Sequence, residues 1–202
     1  MTTFAITPAL IEIALGSLAG LALGFFGWRW YARRQAQRIL LQAVTQGAFE
    51  HLRNVLVPDG NGGAYHVDFL LLTVRGVVVI DLRDVTGNVF GGDQMNEWTV
   101  MNRSLRTTFP NPQSALYDRV AAVKALAGDV PVEGRIVFTR RAAFPKGMPR
   151  WTARVDTLGA EFPAVDRGTL EATVRRWLGG WQKTKAATMP SGHGAAQPAG
   201  TR

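Results

Sequence analysis

The sequence predicts an α/β domain, a mixed sheet flanked by helices, preceded by one transmembrane helix. Residues 9–28 form an apolar run whose only charge is Glu12. Residues 66–74 and 77–82 are two further apolar runs separated by a glycine turn, which is typical of strands covered on both faces. Asn111 and Pro112 then supply a cap and a first-turn proline for a helix. A chain of 202 residues accommodates one such domain with appendages.

The first element is the apolar run 9–28, which has the length that a helix needs to cross a bilayer core of roughly 30 Å. An aromatic and basic cluster follows it, and no Lys or Arg precedes it: Trp28, Arg29, Trp30, Tyr31, Arg33, Arg34 and Arg38. This asymmetry predicts a single-pass protein of the cell inner (plasma) membrane with its C-terminal domain cytoplasmic. A cleaved signal peptide would carry its positive charges before the apolar run. A buried hairpin helix is the other alternative.

Three glycines at four-residue spacing line one face of this segment, namely Gly16, Gly20 and Gly24. Small residues at this spacing let two membrane helices pack closely, so they predict a homodimer contact. The alternative is that glycine is simply common in membrane helices.

The remaining elements follow in order, and they divide the chain into residues 1–31 (anchor), 32–182 (domain, core 46–139) and 183–202 (a disordered tail rich in Ala, Gly and Pro). We predict a helix over 32–57, a hairpin with its turn at Arg75-Gly76, and two short strands at 88–90 and 97–101. A helix over 111–127, a core strand over 134–139 and a closing helix over 169–178 complete the domain.

Composition excludes several kinds of site. The chain has no cysteine, which rules out disulfides, thiolate catalysis and cysteine zinc sites. Its three histidines lack metal-ligand spacing, and its glycine clusters lack a phosphate-loop lysine. The net charge of +8 favours an anionic partner, either nucleic acid or the inner membrane surface.

Asp68 and Asp81 are the acids whose placement suggests chemistry. They lie on the two strands of the predicted hairpin, near its open end. Two carboxylates at one sheet edge can hold a hard cation such as Mg²⁺. The alternative is that each acid merely ends a strand.

The hairpin from Asp68 to Arg83 resembles the core of the nuclease-related domain (NERD) family. Further matches follow in order at Gly87, Trp98 and Asn111-Pro112, and residues 47–50 resemble the family's glycine-and-glutamate motif. The family is similar to the PD-(D/E)XK nucleases, so the resemblance implies a restriction-endonuclease-like fold over roughly residues 46–139.

The resemblance also implies a site. It assigns Glu50, Asp68 and Asp81 as ligands of Mg²⁺ or Mn²⁺, together with the Leu82 carbonyl, and Arg83 as the catalytic cation. Two positions depart from the family pattern, because Arg83 replaces a lysine and Ala115 replaces a glutamine. Arginine keeps its charge but cannot give up a proton.

Three functions follow from this site and from a basic surface along residues 103–154. The first is a membrane-anchored nuclease with a degenerate active site, which hydrolyses phosphodiesters with a bound metal ion. The second is a catalytically inactive module that binds nucleic acid or a protein. The third is a membrane scaffold without a nucleic-acid role.

Overall fold

The computed structural model describes residues 8–191, except the side chains of residues 8–20 and Ala22. It divides into two compact units, one ending at Gln42 and the other beginning at Ala43.

The first unit is the greater part of a single long helix, α1 (Pro8–Thr45), which runs without a break from the apolar run through the basic cluster. No helix is long and apolar enough to cross a membrane among the residues described, so the predicted transmembrane helix is corrected. The side chain of Glu12 and the surroundings of Gly16 and Gly20 lie outside the described residues. At Gly24, an added Cβ would meet no atom within 4 Å.

The predicted helix over 32–57 is also wrong in its second half. Helix α1 ends at Thr45, and residues Ala48–Pro58 form strand β1. The chain turns at Gly47, where a Cβ would lie 2.5 Å from the carbonyl oxygen of Phe162. Antiparallel pairing with the following strand places Val55 and Val57 in the core. This long-range pairing overrides a spacing of apolar residues that also suits a helix.

The main sheet has six strands in the order β10-β1-β2-β3-β7-β9. Its further members are β2 (Ala64–Thr73), β3 (Gly76–Arg83), β7 (Val132–Phe138), β9 (Thr152–Arg154) and β10 (Met189–Pro190). From β10 through β1 and β2 to β3, each strand is antiparallel to its neighbour. Strand β7 runs parallel to both β3 and β9. The predicted mixed sheet is therefore present.

The hairpin turn lies one residue earlier than predicted, at Val74-Arg75. Thr73 pairs with Gly76, and its hydroxyl donates to the Gly76 carbonyl at 3.0 Å. Gly76 has φ of +117°, and a Cβ there would lie 2.2 Å from the Pro131 carbonyl oxygen, so only glycine fits. This turn sets the register of the whole hairpin.

A second sheet has four strands in the order β6-β5-β4-β8. Its strands come from the stretch of chain that follows β3 and precedes β9. Its strands are β4 (Gly87–Phe90), β5 (Glu97–Asn102), β6 (Leu105–Pro110) and β8 (Ala142–Ala143). Trp98 of β5 is fully buried and stacks on Phe138 with ring centroids 6.2 Å apart. This contact joins the small sheet to the core of the large one.

Helix α2 (Pro112–Ala127) makes the crossover between the parallel strands β3 and β7. It begins as predicted, because the Asn111 side chain accepts a hydrogen bond from the Gln113 amide at 3.0 Å. The remaining helices are α3 (Leu158–Glu161), α4 (Arg167–Val174) and α5 (Leu178–Ala187), with a 3-10 turn at Arg175–Trp177. Residues 183–187, assigned to the tail from sequence, therefore lie in α5.

Candidate functional site

The site begins with two aspartates on adjacent strands. The hairpin register pairs Phe69 with Ile80, so the next positions outward, Asp68 and Asp81, lie opposite each other. Residues opposite each other in an antiparallel pair have Cβ atoms roughly 4.5–5.5 Å apart. The structure thus brings together the two acids that the sequence singled out.

Asp81 is almost fully buried, with 6% of its side chain exposed. Its Oδ2 atom accepts a hydrogen bond from Arg83 Nη2 at 2.8 Å and lies 3.5 Å from Arg119 Nη1. A buried carboxylate requires such partners, because an isolated charge is costly to remove from water. Two guanidinium groups therefore converge on one carboxylate oxygen.

Asp68 has weaker partners. Its Oδ2 atom accepts a hydrogen bond from the Leu82 amide at 2.8 Å, and its Oδ1 atom lies 3.9 Å from His66 Nδ1. Burial raises the pKa of Asp68 above its usual value; the Leu82 hydrogen bond opposes this rise and the charge of Asp81 adds to it. Asp68 thus takes up a proton more readily than a free aspartate.

The two arginines reach this point from different elements. Arg83 ends β3, and its Nε atom is buried without a hydrogen-bond partner in the described part of the chain. Arg119 projects from α2 and also donates from Nε to the His66 carbonyl oxygen at 2.7 Å. Each arginine is partly exposed, with 31% and 19% of the side chain accessible, so both lie at the edge of the sheet rather than in the core.

Glu50 lies elsewhere, contrary to the prediction that it approaches the aspartates from a helix. It sits on β1 opposite Leu72, four residues along β2 from Asp68, which corresponds to roughly 13 Å. Its carboxylate accepts hydrogen bonds from Trp181 Nε1 at 2.7 Å and from Lys185 Nζ. Burial acts to raise the pKa of Glu50, but the bonds to Lys185 and Trp181 outweigh it and the pKa is lowered. Glu50 thus fixes α5 to the sheet.

Gln113 and Ala115 lie in the first turn of α2, where the family pattern has its glutamine at position 115. Gln113 is buried and donates from Nε2 to Asp93 Oδ1 at 2.9 Å and to the Arg150 carbonyl at 2.8 Å. It therefore fastens the loop before β9 to the start of α2. Ala115 stands half-buried on the same helix, and its methyl group supplies no polar atom.

The residues as arranged do not fit the three-acid metal site that the resemblance implies. No group of three or more His, Asp or Glu side chains converges anywhere in the described residues. Asp68 and Asp81 remain, but the Oδ2 atoms of both are already hydrogen-bonded, one to an amide and one to a guanidinium. Mg²⁺ requires near-octahedral oxygen coordination, and this pair offers little of it.

Arg119 is the residue of this cluster that sequence reasoning did not assign to the site. It lies between Leu116 and Val123, two core positions of α2, on the flank of the buried face. Because α2 connects β3 to β7, a long side chain on that flank reaches the end of β3. An arginine bordering the apolar stripe of a crossover helix was the available signal.

Comparison with known proteins gives a family match and a distant relative. A family model described as nuclease-related domain matches residues 28–139, more than half of the chain. An uncharacterized protein of Bacillus anthracis is 22% identical over 117 residues, which cover 58% of this chain and 53% of that protein. The chain thus spans about half the length of the curated relative that it matches. No solved structure matches it. The extent of the family match, which includes the hairpin with Asp68 and Asp81, shows that this chain belongs to the nuclease-related domain family.

Proposed function

We propose that this chain is a nucleic-acid-binding member of its family in which Arg83 and Arg119 hold a backbone phosphate and metal-dependent cleavage is lost. One observation carries the proposal: both guanidinium groups meet at the Oδ2 atom of Asp81, where the family resemblance implies a metal ion.

The arginines have donors left for a phosphate. A guanidinium carries five N–H groups in a rigid fork, which suits bidentate contact with phosphate oxygens. Arg83 uses Nη2 on Asp81, while its Nε atom is buried without a partner among the described residues. Asp81, being almost fully buried, holds both forks in place from below. A phosphate lying at the edge of the sheet would bond to N–H groups of the two arginines other than this buried Nε.

The acids offer less to a metal ion than the resemblance implies. Glu50 is engaged by Trp181 and Lys185 and lies roughly four strand positions away. The pKa of Asp68 is raised by burial and by Asp81, so protons compete for this acid more strongly than for a free aspartate. These features support binding rather than hydrolysis.

The test is salt-dependent binding of a fluorescent oligonucleotide to the full chain. Arg83→Gln and Arg119→Gln should each weaken binding, and each should reduce the slope of log affinity against log salt by about one phosphate contact. Arg175→Gln, at an exposed position in the 3-10 turn, is the matched control and should leave both quantities unchanged. If the two site variants bind as the wild type does, the phosphate site is wrong.

Metal-dependent cleavage is the second candidate, and one observation favours it. Asp68 and Asp81 lie opposite each other, and the negative charge of Asp81 contributes to the raised pKa of Asp68. A metal ion that displaced the arginines would relieve this repulsion.

An assay with Mg²⁺ or Mn²⁺ separates the two candidates. We expect the wild type to bind nucleic acid without measurable cleavage. The double variant Arg83→Lys with Ala115→Gln restores the residues that the family pattern contains. It should raise any residual rate by about 10²–10³-fold if the lost groups stabilise the transition state. Brisk cleavage by the wild type, abolished in Asp81→Ala, would contradict the proposed loss of activity.

A further inference from the structure

We infer that a cleft between Tyr117 and Trp151 stacks one unpaired base, so that the chain prefers single-stranded nucleic acid to a duplex. This inference rests on the proposed function and deepens it, because it names the class of nucleic acid. The cleft lies on the other flank of α2 from Arg119, between the helix and the residue that precedes β9.

The cleft has the size of a single ring. Tyr117 and Trp151 line one cavity of about 120 Å³, and Gly134 lies between Leu116 and Val120 at its base. This volume is roughly ten times the 10–15 Å³ that one water molecule requires. It is well below the roughly 300–1,000 Å³ of a cofactor or drug-sized pocket. One planar group therefore fits the cleft better than a larger ligand.

Both rings are presented to solvent, with Tyr117 51% and Trp151 40% exposed. The Arg135 guanidinium lies 5.4 Å from the centroid of the Trp151 ring. Arg135 is itself buried and is held by Glu161 at 2.6 Å and by Glu133 at 3.1 Å. The indole is thus supported by a fixed cation and still offers apolar surface to a ligand.

The backbone at Trp151 supports a binding role. Its φ is +60°, a conformation that large L side chains rarely adopt. The Trp151 carbonyl accepts a hydrogen bond from the Ile136 amide at 2.7 Å, which holds this conformation at the start of β9. Strained backbone that persists beside an exposed aromatic side chain is characteristic of ligand contacts.

The basic residues near the cleft favour a planar group that carries phosphate, which is a nucleotide base. Arg150 precedes Trp151 with 76% of its side chain exposed, and Arg119 lies two residues after Tyr117 on α2. The two residues on α2 point to different flanks of a helix whose diameter is roughly 10–12 Å. That separation suits a strand that places a phosphate at Arg119 and a neighbouring base in the cleft. Glu133 also lines the cleft, and its carboxylate is paired with Arg75 and Arg135.

A base inside a duplex is stacked and paired, so its faces cannot reach an aromatic ring. Proteins that hold single strands combine a basic track with exposed aromatic side chains, and each stacked base contributes about 1–3 kcal/mol. This range corresponds to about a 5-fold to 160-fold change in affinity.

The experiment measures binding of the full chain to a short fluorescent oligothymidylate and to a duplex of similar charge, at one salt concentration. Tyr117→Ala, at an exposed helical position where alanine suits the backbone, should weaken oligothymidylate binding about 10-fold. Trp151→Ala should do the same, and Trp151→Phe should retain most of the affinity because it keeps an aromatic face. Duplex binding should change less than twofold. Met189→Ala, an exposed apolar position on β10, is the matched control.

The outcomes distinguish this inference from the proposed function. Unchanged oligothymidylate binding in both Tyr117→Ala and Trp151→Ala overturns the stacking cleft, while a loss in Arg83→Gln and Arg119→Gln would still support the phosphate site. Equal weakening of single-stranded and duplex binding by Tyr117→Ala also overturns the inference, since it would indicate a general contact. If the wild type binds neither probe, both proposals fail.

Discussion

Two clusters beside the main sheet each contain two arginines and two acids, but they use these charges differently. In the first cluster, Arg75 and Arg135 meet Glu133 and Glu161. Arg135 bonds to both glutamates and donates from Nη1 to the Gly134 carbonyl at 2.8 Å. Arg75 and Arg135 share the Oε2 atom of Glu133, but Arg135 has a second carboxylate partner in Glu161.

In the second cluster, Arg83 and Arg119 share one oxygen of Asp81, while Asp68 has only an amide hydrogen bond and a histidine 3.9 Å away. The Arg83 Nε atom is buried without a partner in the described chain, and the pKa of Asp68 is raised by burial and by the charge of Asp81. Equal numbers of charges therefore do not make equal sites. The first arrangement stabilises the fold, and the second leaves hydrogen-bonding capacity for a ligand.

The largest effect that this comparison predicts is on the free energy of unfolding, for a change in the first cluster. Arg135→Met should lower the free energy of unfolding by about 3 kcal/mol, because Glu161 and Glu133 lose the buried partner that they share. Urea unfolding measures the change. Arg75→Met removes an arginine whose side chain is 49% exposed, so it should cost at most about 1 kcal/mol. Equal losses in the two variants would contradict the structural role of Arg135.

The matching change in the second cluster should affect the free energy of unfolding less and the affinity for nucleic acid more. Arg83→Met should lower the free energy of unfolding by only about 1 kcal/mol, because it removes a buried unpaired N–H and leaves Arg119 on Asp81. Oligonucleotide affinity measured on the same sample should fall as in Arg83→Gln. A stability loss as large as that of Arg135→Met would assign Arg83 to the fold and weaken the proposed phosphate site.

Asp68 should show a smaller effect of opposite sign. Because its pKa is raised in the folded state, the folded protein binds more protons than the unfolded chain from just below the ordinary aspartate pKa of 3.8 up to the raised pKa. Stability therefore decreases as pH rises through that window and stays low above it. Asp68→Asn should raise the melting temperature at pH 7, and the difference from wild type should shrink as pH falls. A variant that is less stable at pH 7 would show that the charge of Asp68 is favourable.

Glu50 should have the smallest effect on stability, and its pH dependence should be opposite to that of Asp68. Its pKa is lowered, so its contribution to stability is present above the ordinary glutamate pKa of 4.5 and is lost as pH falls through the folded-state pKa. Glu50→Gln should reduce the melting temperature at pH 7, and the two proteins should converge in acid. Glu171→Gln, at an exposed position on α4, is the control and should change little at either pH. An unchanged melting temperature in Glu50→Gln would indicate that its bonds to α5 add nothing.

The sequence by itself determined the elements whose signals are local. The change from helical to strand periodicity, with Gly76 at the turn, gave the β2–β3 hairpin and placed Asp68 near Asp81. Asn111 and Pro112 gave the start of α2, because a cap and a first-turn proline act within a few residues. The turn itself was placed one residue too late, since the clash that requires Gly76 comes from Pro131, far along the chain.

Tertiary structure decided what depends on residues distant in sequence. Strand β1 exists because it pairs with β2, and that pairing overrode a spacing that also suits a helix. Glu50 was directed to Trp181, 131 residues away, and not to the aspartates. The crossover from β3 to β7 places Arg119 beside Asp81. As a result, two arginines contact the carboxylate that the sequence had paired only with Asp68. Such contacts join elements whose proximity arises only when the sheet is assembled, so no local pattern encodes them.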